Sequence, residues 1–183
     1  LYPRTPMRWE WDEDGDDRVA TLWHMREELS KSRKVIYAKW LQGRATFFSL
    51  EVFRALLALQ LNRPHMRETL SRDAREILAI LEEESTQSTK QLKRASGLVG
   101  RNLEANYNRA MKELWSRNLI VAYGEVDEGA FPSLAVGATK LIFEDLYLEA
   151  QGMSPTEAKK ILFPVVSASP AVARFYERQM RPG

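Results

Sequence analysis

The densest set of side chains that could do chemistry lies between Ser88 and Arg117. Lys90, Lys93 and Arg94 come first, followed by Arg101, Asn102, Asn108, Arg109 and Lys112. Lys and Arg can hold phosphate oxygens, and Arg or Asn can also reach base edges. Only Glu104 and Glu113 oppose these charges within the stretch. The eight residues are expected to contact double-stranded DNA, with phosphate contacts dominant. The competing reading of these residues is a helical hairpin with a solvated basic face.

Two helices must position this set. Ser88 and Gln91 form an S-x-x-Q capping box, which satisfies orphan N–H groups at a helix start. Leu92 and Ala95 are the inward positions of the short helix that follows, and Gly97 ends it. After Gly100 a longer helix is expected to run to about Arg117. Leu103, Tyr107, Ala110, Met111 and Leu114 recur at helical spacing and form its apolar stripe. Arg101, Asn102, Ala105, Asn108, Arg109 and Lys112 take the opposite face. This is a helix-turn-helix with 101–117 as recognition helix.

The flanking segments extend the pattern. Ser71 caps a helix over about 72–84, buried through Ala74, Ile77, Leu78 and Leu81. After the long helix, LIVAYGEV reads as a strand over about 119–126. A loop at Asp127-Glu128-Gly129-Ala130 leads to a second strand at about 133–137. Three helices followed by a two-stranded hairpin is the winged-helix order. Asp127 and Glu128 at the wing tip repel phosphates, so the helix face must supply most of the DNA contact.

Upstream, residues 1–15 form an extended lead-in carrying Pro3 and Pro6, with Trp9 and Trp11 as anchors to the body. Asp17 caps a helix over about 18–30 with Val19, Leu22, Trp23, Arg26 and Leu29 in phase. KVIYAKWL is a strand at 34–41, Gln42-Gly43-Arg44 a tight turn, and ATFFS the returning strand. Ser49 caps a helix whose inward side is Val52, Phe53, Leu56, Leu57 and Gln60. Downstream, Thr139 starts a helix with Ile142, Phe143, Leu146, Tyr147 and Ala150 on one face, stopped by Gly152. Ser154-Pro155-Thr156-Glu157 caps a helix that is expected to end before Pro164. Ser169-Pro170 begins a last one, with Val172, Phe175 and Tyr176 inward. The fold class is thus α+β, mainly α. A winged helix-turn-helix at 67–138 sits between a helix–hairpin–helix unit at 1–66 and a helical extension at 139–183.

Composition narrows the function classes. The 183 residues contain no cysteine, which excludes disulfides, thiol catalysis and cysteine zinc sites. His24 and His65 are far apart, so no metal site is expected, and no small-molecule cofactor is indicated. No run of about 18 apolar residues occurs, so no membrane partner is expected, and the cytoplasm is the expected location. The chain begins at Leu1, and a preceding natural portion is expected. Net charge is only +2, yet it is unevenly spread. Residues 10–17 are strongly acidic. Residues 31–67 carry Lys31, Arg33, Lys34, Lys39, Arg44, Arg54, Arg63 and Arg67 against a lone Glu51, an asymmetry compatible with a nucleic-acid face.

From about Trp23 onward the chain resembles proteins related to the AlkZ-type interstrand-crosslink DNA glycosylases. VIYAKWLQGRATFFSLE is similar to their tyrosine-containing strand, Arg-Ala/Pro-Thr turn and Ser-Leu helix start. RDAREILAILEEESTQSTKQLKRASG and NYNRAMKELWSRNLIVAYGEVDEG are similar to their C-terminal winged helix. The resemblance implies tandem winged helices that bind or act on DNA, in repair or regulation, with the 34–48 hairpin as the wing of an incomplete first unit. Those glycosylases use a Gln-x-Gln or Gln-x-Asp motif that this chain lacks. Gln60-Leu61-Asn62 is the nearest string, and no catalytic residue is carried over. Two other readings stand beside DNA binding. One is a glycosylase with a divergent site, for which Glu104 is a candidate carboxylate. The other is a protein-interaction module that forms a homodimer through the C-terminal helices.

Overall fold

The computed structural model describes residues 17–127 and 132–180. The expectations for the lead-in, for the side chains of Val19, Leu22 and Trp23, and for the Asp127–Ala130 loop tip lie outside the described residues.

Helix α1 (Asp17–Lys31) leads into a hairpin of β1 (Val35–Ala38) and β2 (Thr46–Ser49). The first strand is shorter than the sequence pattern predicts. Beyond Ala38 the chain tightens into a 3-10 turn at Leu41–Gly43, where Gln42 and Gly43 take φ of +56° and +77°. Left-handed backbone cannot continue a ladder. Ser49 caps α2 (Leu50–Leu61) by accepting from Val52 N at 3.3 Å. Phe53, Leu56, Leu57 and Gln60 are buried along α2.

Helix α3 (Arg72–Glu83) is capped by Ser71, which accepts from Ala74 N at 3.3 Å. It is followed by β3 (Gln87–Ser88), α4 (Thr89–Ala95), α5 (Glu104–Ser116), β4 (Ile120–Asp127) and β5 (Pro132–Ala138). The two-residue β3 is too short for any periodicity to reveal. It pairs with β5 through Gln87↔Val136 and Ser88↔Ala135. The strands form one antiparallel sheet in the order β2-β1-β4-β5-β3. The joint between the two hairpins is the pairing of Tyr37 with Ala122. Just beyond it, β4 bulges at Gly124 (φ +75°), whose N–H donates to Ser30 Oγ on α1 at 2.9 Å.

The C-terminal helices are α6 (Thr139–Ile142), α7 (Glu144–Gly152), α8 (Pro155–Ser167) and α9 (Pro170–Met180). The single helix expected from Thr139 breaks at Phe143, which has φ −128° and ψ 58°. Helix α8 does not end before Pro164 but carries it internally. Proline deprives the Lys160 carbonyl of a backbone partner, but both residues are exposed, and water can serve that carbonyl. Helices α7 and α8 pack on α2. Phe53, Leu57, Ile77, Leu81, Leu92, Leu114 and Ile120 belong to one buried cluster that spans the N-terminal and central segments. No helix among the described residues is long and apolar enough to cross a membrane.

Candidate nucleic-acid interface

The basic stretch is held by local bonds that its sequence specifies. Ser88 N donates to Gln91 Oε1 at 2.7 Å, and Gln91 N donates to Ser88 Oγ at 3.1 Å, which completes the capping box. Gly97, at φ +67°, ends α4 as expected. The inward position before it is Ser96, whose hydroxyl donates to Leu92 O at 2.7 Å, while Ala95 is exposed. The seven-residue helix therefore turns one position further than simple spacing predicts.

Helix α5 starts at Glu104 rather than Arg101. Gly100, at φ +101°, directs the chain into a turn closed by Leu103 N donating to Gly100 O at 3.1 Å. Leu103 is 37 % exposed and falls outside the apolar stripe, which Trp115 joins instead. Tyr107 is 3 % exposed, and its hydroxyl donates to the Thr89 carbonyl at 3.2 Å. Burial pushes this phenol well above its ordinary range, so it remains a neutral donor that locks α5 onto α4.

Lys90 and Arg94 project from α4 into solvent, and Arg101 and Asn102 are exposed in the turn. Asn108, Arg109 and Lys112 lie on the exposed face of α5, with Arg109 donating to Asn106 Oδ1 at 2.6 Å. Lys93 is more constrained. Its ammonium contacts Glu104 Oε1 at 2.7 Å and stands 5.1 Å above the Tyr107 ring. The two opposing carboxylates are thus both engaged. Glu104 is held by Lys93, and Glu113 receives Ser71 N at 3.2 Å and Arg117 Nη2 at 3.1 Å.

Beside the C-terminal half of α5 opens a cavity of about 820 Å³. Among the described residues, six cations line it: Lys39, Arg63, Arg109, Lys112, Arg117 and Arg178. Lys39 and Arg63 belong to the basic 31–67 segment, so that segment meets the α5 face here. Burial, reinforced by the charge of Arg26, lowers the Lys39 pKa from its ordinary value. Burial and then Arg117 do the same to Arg63. The sequence contains no spacing signal for this convergence, because the residues come from separate segments. Arg178 and the role of Arg117 were not foreseen.

Gln60-Leu61-Asn62 is committed to structure. Gln60 is fully buried, and Asn62 Nδ2 donates to Ala58 O at 2.9 Å and Met153 O at 3.1 Å.

Together these features define a mainly helical α+β protein with a five-stranded antiparallel sheet and a basic helix face beside a cationic cavity. The chain matches the family model described as AlkZ related over residues 3–174, and it belongs to that family. This membership links it to DNA repair and glycosylase-like function. No curated protein and no solved structure matches the chain.

Proposed function

We propose that the chain is a DNA-binding protein of repair, with a winged helix-turn-helix at 67–138 that grips duplex DNA mainly through phosphate contacts. The observation that carries this reading is the outward face of α5. Asn108, Arg109 and Lys112 stand free of the core there, with Arg101 and Asn102 in the turn before it and Lys90 and Arg94 on α4. The element order supports it, since α3, α4 and α5 precede the β4–β5 hairpin. A helix of 13 residues spans about 20 Å, enough to follow a major groove.

The test is charge reversal at Arg109 and Lys112 together. Both are exposed, so the fold should persist by circular dichroism. Affinity for a short duplex should fall at least tenfold at about 0.1 M salt. Unchanged affinity in the double variant defeats the proposal.

Family membership favours a second reading, a base glycosylase. A general base works best with a pKa near the operating pH. The Lys93 hydrogen bond instead holds the exposed Glu104 carboxyl below its usual range, and the Gln60 amide is sealed inside α2. The grip therefore takes precedence over an active site. An assay for release of alkylated bases from DNA separates the two readings.

A further inference from the structure

Among the described residues, the cavity beside α5 concentrates positive charge against a single carboxylate, Glu113, which is already engaged by Ser71 N and Arg117. Lys39, Lys112 and Arg178 form no ion pair among the described residues. Concave walls of low dielectric focus such a field. Arg63 is tied to the wall through the Gln179 carbonyl, so its charge is held at the cavity. An anion in the cavity would offset the repulsion that Arg117 exerts on Arg63.

We propose that this cavity is a receptor for a phosphate monoester, either the terminal phosphate of a nucleic-acid strand or that of a free nucleotide. Its volume of about 820 Å³ lies in the range of small-ligand sites. Internal phosphates ride on the outside of a duplex, whereas a strand end can enter a pit. A terminal phosphate carries roughly −1.5 to −2 at neutral pH, against a single charge on each internal phosphodiester. Guanidinium forks bind such oxygens in pairs. Of the four on the wall, Arg117 already engages Met66, Thr69 and Glu113. Arg63 and Arg109 each keep one Nη outside the bonds to Gln179 and Asn106, and Arg178 makes no hydrogen bond among the described residues. Gln42, on its left-handed backbone, also lines the cavity.

Recognition is of the phosphate rather than of a base. Trp40, the tryptophan on this wall, is 4 % exposed and packs edge-on against Phe175 with centroids 4.8 Å apart. It leaves no free ring face for stacking. Its buried indole N–H has no partner among the described residues.

The strand-end source rests on the DNA-binding reading above, whereas the phosphate receptor itself does not. The experiment therefore has two arms. Fluorescence anisotropy compares one short duplex with 5′-phosphate, 3′-phosphate or hydroxyl ends at a single salt concentration. Calorimetry compares adenosine 5′-monophosphate with adenosine. A phosphate-ended duplex should bind at least fivefold tighter than the hydroxyl-ended one, and Lys39→Gln and Arg178→Gln should each bring that ratio close to one. Having two variants on different elements guards against one that fails to fold. Selection of the nucleotide over the nucleoside, with no duplex bound, supports the receptor and defeats the DNA reading. Duplex binding with no preference for phosphate in either arm overturns the receptor and leaves the DNA reading standing.

Discussion

Lys93 Nζ lies 2.7 Å from Glu104 Oε1, a contact that ties α4 to the first turn of α5. The pair also subtracts from the basic face, because it neutralises one of the cations best placed between the two helices. Glu104→Gln should release Lys93 and remove an opposing charge. Duplex affinity should rise severalfold at low salt, and the slope of log affinity against log salt should steepen by about 0.9 if Lys93 gains one phosphate. Affinity that is unchanged across the salt series would show that Lys93 faces away from the DNA.

The capping box at Ser88 has a second duty, since Ser88 also pairs with Ala135 in the sheet. Ser88→Ala keeps the strand pairing and removes the cap. Loss of an N-cap hydroxyl costs about 0.5–2 kcal/mol. Urea denaturation should show a loss in that range, and hydrogen exchange should report α4 as the first segment to open. No loss of stability would mean that the Gln91 half of the box suffices.

These two cases indicate how far the chain could be read in advance. Caps were legible because a serine with Gln91 or Glu157 three positions on has few other uses. The α5 stripe through Tyr107, Ala110, Met111 and Leu114 was legible because helical spacing repeats over about two turns. The helix boundary at Glu104 was not, since it depends on the left-handed Gly100 rather than on periodicity. Pro164 misled because its penalty depends on exposure, which composition does not reveal. The sheet joint at Tyr37 and Ala122 links residues 85 positions apart, and no local signal encodes it. The cationic cavity has the same origin. Lys39 and Arg63 of the basic 31–67 segment, Arg109 of the basic helix and the unforeseen Arg178 stand far apart in the chain and become one site only through packing.

Close packing behind β5 gives a further check on that sheet. A Cβ on Gly137 would stand 2.6 Å from Ile142 Cγ1 and 3.1 Å from Thr86 Cγ2. Gly137→Ala must therefore shift the Ile142 side chain, or α6 with it, and press on Thr86. Overpacking of this kind costs about 1–3 kcal/mol, which should appear as a lower denaturation midpoint with an unchanged slope. A variant as stable as the parent would place Ile142 elsewhere.

Lys39 sets stability against binding. Burial is the main cause of its lowered pKa, and the charge of Arg26 adds to it. At neutral pH the ammonium is retained in the folded chain at a cost that the unfolded chain does not bear. Lys39→Met keeps the length of the stem and removes the charge. The melting temperature at pH 7 should rise by about 1–3 °C, an effect kept small because the side chain is only half-buried. The gain has a definite pH dependence. As pH rises through the lowered folded-state value towards the ordinary 10.5, the parent sheds the proton and its own stability climbs, so the gap between parent and variant should close in that window. The same variant should lose any preference for phosphate-ended DNA. A fall in melting temperature at pH 7 would mean that Lys39 already has an anionic partner in the folded chain, and a cavity neutralised in that way has no need of a phosphate.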